Sequence, residues 1–109
     1  MKVLVYGREI LVKRVRENLA GHGIEAAIAT SRSVFETAFS VFEKPDLVII
    51  DREAGDAATA SRYSRDKFDA CTVLMTGSTV KDWEGMDSFA VDGYVSDRFN
   101  NGELKARLC

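Results

Sequence analysis

The sequence predicts an α/β fold in which five β-α units build a parallel sheet with helices on both faces. Three observations carry that prediction. Short apolar runs such as "KVLVY", "DLVII" and "CTVLMT" recur along the chain. They are continuously apolar rather than alternating, as strands covered on both faces are. Longer amphipathic segments separate them, and strand–helix alternation implies parallel strands joined by right-handed crossovers.

Each element has a local reason. "KVLVY" (2–6) is the first strand. A helix follows, with Leu11, Val15 and Leu19 recurring every four residues among Lys13, Arg14 and Arg16. "GHG" (21–23) ends it, because glycine readily takes the left-handed position after a helix. His22 there reads as a helix-end residue favoured by the dipole. "IEAAIAT" (24–30) is the second strand. "SRSVFETAFSVFEK" then opens with Ser33-x-x-Glu36, a capping-box spacing, and lines up Phe35, Ala38, Phe39 and Phe42 on one face. Pro45 stops that helix ahead of "DLVII", the third strand, which ends at Asp51. "AATASRYSRDKF" predicts a weak short helix, "CTVLMT" (71–76) the fourth strand and "KDWEGMDSFA" another short helix. "GYVS" (93–96) is the fifth strand, and "NGELKARL" a closing helix.

The 109 residues suit one domain, 1–109, with a single core. The net charge of −2, with Lys and Arg scattered, argues against a nucleic-acid groove. The apolar start is interrupted at Arg8 and Glu9, too early for a signal peptide or a membrane span. Cys71 and Cys109 have no metal-ligand spacing, and a reduced, cytoplasmic state is expected of both.

In open parallel sheets, ligands and chemistry collect outside the carboxyl ends of the strands. The residues to read are therefore Gly7 and Arg8, Asp51, Thr76, and Asp97. Asp51 is the most demanding, since a carboxylate at the end of a buried strand is costly unless something compensates its charge. It could cap the loop that follows. Arg8 could partner it, or could be a solvated residue at a helix start.

The chain resembles, over essentially its whole length, the receiver domain of two-component response regulators (CheY-like). "KPDLVIID" is similar to the strand that presents the family's phospho-accepting aspartate, which falls on Asp51. "VLMTGS" is similar to the fourth strand with its switch residue, here Thr76. "VDGYVSDRF" resembles the family's "DGYLxKPF", with Tyr94 at the switch aromatic and Phe99 in its usual place. The resemblance implies a flavodoxin-like (βα)5 three-layer sandwich with strand order 2-1-3-4-5. It also implies a non-enzymatic signalling role. The stretch from Asp51 to Thr76 is shorter than the family's by about one helical turn, which predicts a trimmed third helix.

The departures set the functional expectation. The family's first strand ends in two acidic residues that hold Mg²⁺; here Gly7 and Arg8 stand there, and Glu9 is reached only by slipping the alignment. The family's lysine after the fifth strand is Asp97, and the proline after it is Arg98. Mg²⁺ seeks oxygen ligands, including carboxylates, whereas an arginine fork can hold a carboxylate by two charge-assisted hydrogen bonds. The expectation is a pseudo-receiver that needs no cofactor, is not an enzyme, and acts by protein–protein interaction. Its partner, or a second copy, would use the face of the fourth helix, fifth strand and fifth helix. Trp83, Tyr94 and Arg98 are the expected anchors there. Trp83 and Met86, with Phe89, could form an apolar patch. One alternative is a phosphorylatable receiver that uses Mg²⁺. A second is a nucleotide-binding α/β domain, although after Gly7 the remaining glycines of the dinucleotide fingerprint are absent.

Overall fold

The computed structural model describes residues 2–19, 24–42, 45–54, 56–67, 69–76 and 91–96; of these, the side chains at 18, 40, 42, 76 and 93–96 lie outside the description. The elements are β1 (Lys2–Tyr6), α1 (Glu9–Leu19), β2 (Glu25–Ala29), α2 (Arg32–Phe42), β3 (Leu47–Asp51), α3 (Ala57–Arg62), a π-helical turn (Tyr63–Lys67), β4 (Thr72–Thr76) and β5 (Gly93–Ser96). The five strands form one sheet in the order β2-β1-β3-β4-β5, and every neighbouring pair is parallel. The expected flavodoxin-like topology is therefore observed. The segments expected to form a helix over 81–90 and over 101–108 lie outside the described residues.

Strand periodicity divides the core in two. On one face Val3, Val5, Leu47, Ile49, Val73 and Met75 meet Leu11, Val12, Val15 and Leu19 of α1. On the other, Leu4, Tyr6, Val48, Ile50 and Leu74 meet Phe35 and Phe39 of α2 and Ala57 and Ala60 of α3. Side chains on a strand alternate between faces, so Asp51, next after Ile50, turns toward the α1 side, while Tyr6 and Ile50 stay on the α2 side. The central strand β3 is buried throughout. Among the described residues no helix is long and apolar enough to cross a membrane.

Two local readings need correction. The cap of α2 is Ser31, whose Oγ accepts from Val34 N at 3.3 Å, and not Ser33. The cap thus lies two residues ahead of Ser33, and Glu36, inside the helix, pairs with Arg32 across i, i+4 at 3.3 Å. Cys71, half-buried ahead of β4, is disulfide-bonded rather than a reduced thiol. Cα separation in the fold decides such pairing, and linear spacing does not carry it. The third helix is short as expected, and it continues as a π turn whose Ser64 hydroxyl meets that of Thr72, at the start of β4, at 2.7 Å.

Candidate functional site

The register of β1 against β3 builds the site. Tyr6 stands beside Ile50, so the next residue, Gly7, faces Asp51 at the carboxyl edge of the sheet. The approach is close. A Cβ on Gly7 would lie 2.1 Å from Asp51 Cβ and 2.9 Å from its Oδ2, so no side chain fits at position 7 with Asp51 where it is. Glycine here lets the β1 backbone lie against the carboxylate and delivers the next residue to it.

That residue is Arg8, and it grips Asp51 with backbone and side chain together. Its backbone N donates to Asp51 Oδ2 at 3.1 Å and its Nε to the same oxygen at 2.7 Å. Its Nη2 donates to Oδ1 at 3.2 Å, and Glu53 N completes the set, donating to Oδ1 at 3.0 Å. An ionised carboxylate offers about four lone-pair directions, and these four bonds use them. Asp51 is only 2% exposed, whereas the Arg8 side chain is 54% exposed. The carboxylate is thus inside and its counter-ion forms the lid toward solvent. The loop-capping role of Asp51 is also present, in the bonds from Glu53 N to its side chain and from Ala54 N to its carbonyl at 3.0 Å.

The Mg²⁺ that the resemblance implies does not fit these residues. Gly7 offers no carboxylate, and a guanidinium already neutralises Asp51. Glu9 lies in the first turn of α1, exposed, with its carboxylate on Lys13 Nζ at 2.8 Å, and that bond holds it below the usual carboxylate range. Among the described residues no group of three or more His, Cys, Asp or Glu side chains is placed to hold a metal. Mg²⁺ needs few protein carboxylates, but it needs them uncommitted, and here Asp51 is held by a guanidinium and Glu9 by Lys13.

Of the other positions read from the sequence, Thr76 ends β4 and Tyr94 lies in β5, paired with Leu74; their side chains are outside the description. Trp83, Asp97, Arg98 and Phe99 lie outside the described residues.

Sequence reasoning passed over a second cluster beside the first. Tyr6 donates its hydroxyl to Asp56 Oδ1 at the start of α3, and Arg32 Nη1 reaches Asp56 Oδ2 at 3.5 Å. Burial, then the hydrogen bond to Asp56 and its charge, push the Tyr6 phenol up to about 12. Its ring lies 4.8 Å from that of Phe35, which in turn meets Phe39 edge-on. Arg32 also stands over the Tyr63 ring at 5.5 Å. The available signal was Tyr6 itself, a polar-tipped residue in an apolar strand whose hydroxyl needs a partner once buried. A cavity of about 230 Å³ opens between the two clusters, bordered by Tyr6, Gly7, Arg8, Thr30, Glu53 and Ala54.

No protein-family model matches the chain, and no curated protein does. Solved structures do. The N-terminal receiver domain of RstA from Klebsiella pneumoniae, in a BeF3-activated form, superposes with a TM-score of 0.81 at 20% identity, covering 98% of this chain and 94% of that one. The response regulator TrrA of Thermotoga maritima, in complex with Mg²⁺-BeF, gives 0.74 at 29% identity over 97% of this chain and 94% of that one. The N-terminal domain of a response regulator/sensory box/GGDEF protein from Carboxydothermus hydrogenoformans gives 0.78 at 21% over 98% and 90%. Helices on both faces of a sheet in this strand order agree with those likenesses: the chain has the receiver-domain fold of two-component response regulators.

Proposed function

We propose that this chain is an atypical receiver, a non-catalytic signalling module that works by protein–protein contact and whose phosphorylation pocket is closed by its own arginine. The observation that carries the reading is the four-bonded Asp51. Phosphoryl transfer to a carboxylate depends on positioning and charge neutralisation around an oxygen free to attack. Here each acceptor direction of the carboxylate is committed to a donor, and three of the four donors belong to Arg8. In this reading no cofactor is required.

Its output surface would be the face around β5, with Trp83, Tyr94 and Arg98 as anchors for a protein partner or a second copy. The deciding experiment is incubation with acetyl phosphate and Mg²⁺ followed by intact mass. The expected result is no phosphoryl gain on the parent protein; a stoichiometric gain on Asp51 overturns the reading. Sedimentation over a concentration series, with Trp83→Ala and Tyr94→Ala beside the parent, tests the output surface.

A second reading has its own support. Two solved structures of this fold hold beryllofluoride, and Asp51 closes the central strand here. A receiver phosphorylated on Asp51 would have to swing the exposed Arg8 side chain away first. The same mass measurement separates the two readings.

A further inference from the structure

Tyr6 and Arg8 flank Gly7 at the end of β1, and both reach the loop between β3 and α3, but at opposite ends. Arg8 holds Asp51, the last residue of β3 from which the loop leaves, through both carboxylate oxygens. Tyr6 holds Asp56, the residue ahead of α3, through its phenol hydroxyl. Strand alternation alone would put residues 6 and 8 on one face; they diverge because β1 ends at Tyr6, which stays on the α2 face, while Arg8 lies beyond the strand and leads into α1. Between the two anchor points the loop makes short local bonds, Glu53 N to Asp51 Oδ1 at 3.0 Å, Ala54 N to Asp51 O at 3.0 Å and Ala57 N to Ala54 O at 3.1 Å.

We infer that Tyr6 is a positioning residue of the Asp51 site: with Asp56 it pins the far end of the loop, so that Glu53 N stays on Asp51 Oδ1 and the carboxylate remains fully bonded. Arg8 alone supplies three of the four bonds on Asp51. The fourth comes from a loop amide whose position depends on where α3 begins, and Tyr6 sets that start. Arg32 supports Asp56 from α2, which leaves the aspartate between a phenol and a guanidinium. The inference rests on the reading of Asp51 as a closed site and adds the element that keeps it closed.

Amide hydrogen exchange tests it, on the full chain, with Tyr6→Phe, Asp56→Ala and Asp56→Asn. Losing a hydrogen bond to a charged group is worth a roughly tenfold change in an opening equilibrium. Tyr6→Phe and Asp56→Ala are expected to raise exchange at Glu53 and Ala54 by about that factor while Val5 and Ile49 in the central strands keep the parent's rates. Asp56→Asn retains an acceptor for the phenol, and its Glu53 rate is expected to stay close to the parent's. Parent-like exchange at Glu53 in Tyr6→Phe overturns the inference, and so does an equal rise at Val5 and Ile49, which would mark a general loss of stability. Acetyl phosphate labelling of the parent is scored separately. Phosphorylation of Asp51 together with a loosened Tyr6→Phe loop defeats the closed-site reading and leaves the clamp standing.

Discussion

Arg8 and Asp51 are joined three times over, through the arginine's backbone N at 3.1 Å, its Nε at 2.7 Å and its Nη2 at 3.2 Å. A side-chain ion pair alone would be adjustable. The backbone bond fixes the arginine's Cα next to the carboxylate, and the first helical bond of α1, from Val12 N to Arg8 O at 3.0 Å, fixes it from the other side. The positive charge at this pocket is thus part of the fold.

Arg8→Ala removes the two guanidinium bonds but keeps both backbone donors on Asp51. The carboxylate is almost fully buried, so it loses compensation that water cannot easily replace; the guanidinium is half in solvent, which limits the loss. The expected destabilisation is about 2 kcal/mol, read as a lower urea midpoint with an unchanged slope.

Arg8→Asp reverses the charge at the pocket and places a second carboxylate beside Asp51. Two like charges so close invite a dication. Thermal unfolding in Mg²⁺ and in chelator should coincide for the parent and separate for the variant, with the variant more stable in Mg²⁺. Coincident curves for Arg8→Asp would mean that the pocket lacks the geometry for Mg²⁺ even when its charge permits it.

Gly7→Ala tests the close approach of β1 to the site. The new methyl would start 2.1 Å from Asp51 Cβ, on a residue held in the central strand. Overpacking of this kind costs about 1–3 kcal/mol where neighbours can shift, and here the easiest shift breaks the Arg8 contacts. Urea unfolding of Gly7→Ala and of the Gly7→Ala/Arg8→Ala pair should show less than additive losses, because the first change already forfeits what the second removes.

Much of this was legible in the residues. Continuous apolar runs located β1, β3 and β4, because a strand buried on both faces has no alternative composition, and β3 is buried at every position; β2 and β5, at the sheet edges, were placed by the alternation of strands with helices. Arg8 and Asp51 could be named as neighbours because both end central strands. Tyr6–Asp56 could not. Asp56 lies in a loop whose path is set by tertiary contacts, and no periodicity brings a loop aspartate to a strand tyrosine. The Ser33 cap was misread for a related reason: the capping spacing was present, but the Arg32–Glu36 pair and the Ser31 hydroxyl competed for the same turn.

The Tyr6–Asp56 bond should also leave a mark at high pH. The phenol is raised from 10.0 in an open chain to about 12 in the fold, by burial first and then by Asp56, with Arg32 opposing. The folded state therefore keeps its proton where the unfolded chain releases it. Stability from this group is fully present below pH 10 and is lost as pH climbs toward 12. Other groups also titrate there, so the useful quantity is the difference between the parent and Tyr6→Phe, in which those shared contributions cancel. Urea midpoints taken at steps of pH should give a constant difference below 10 that shrinks across the window up to about 12. A difference that stays flat throughout would show that Tyr6 ionises as it does in the unfolded chain, and that its hydroxyl does not hold Asp56 in solution.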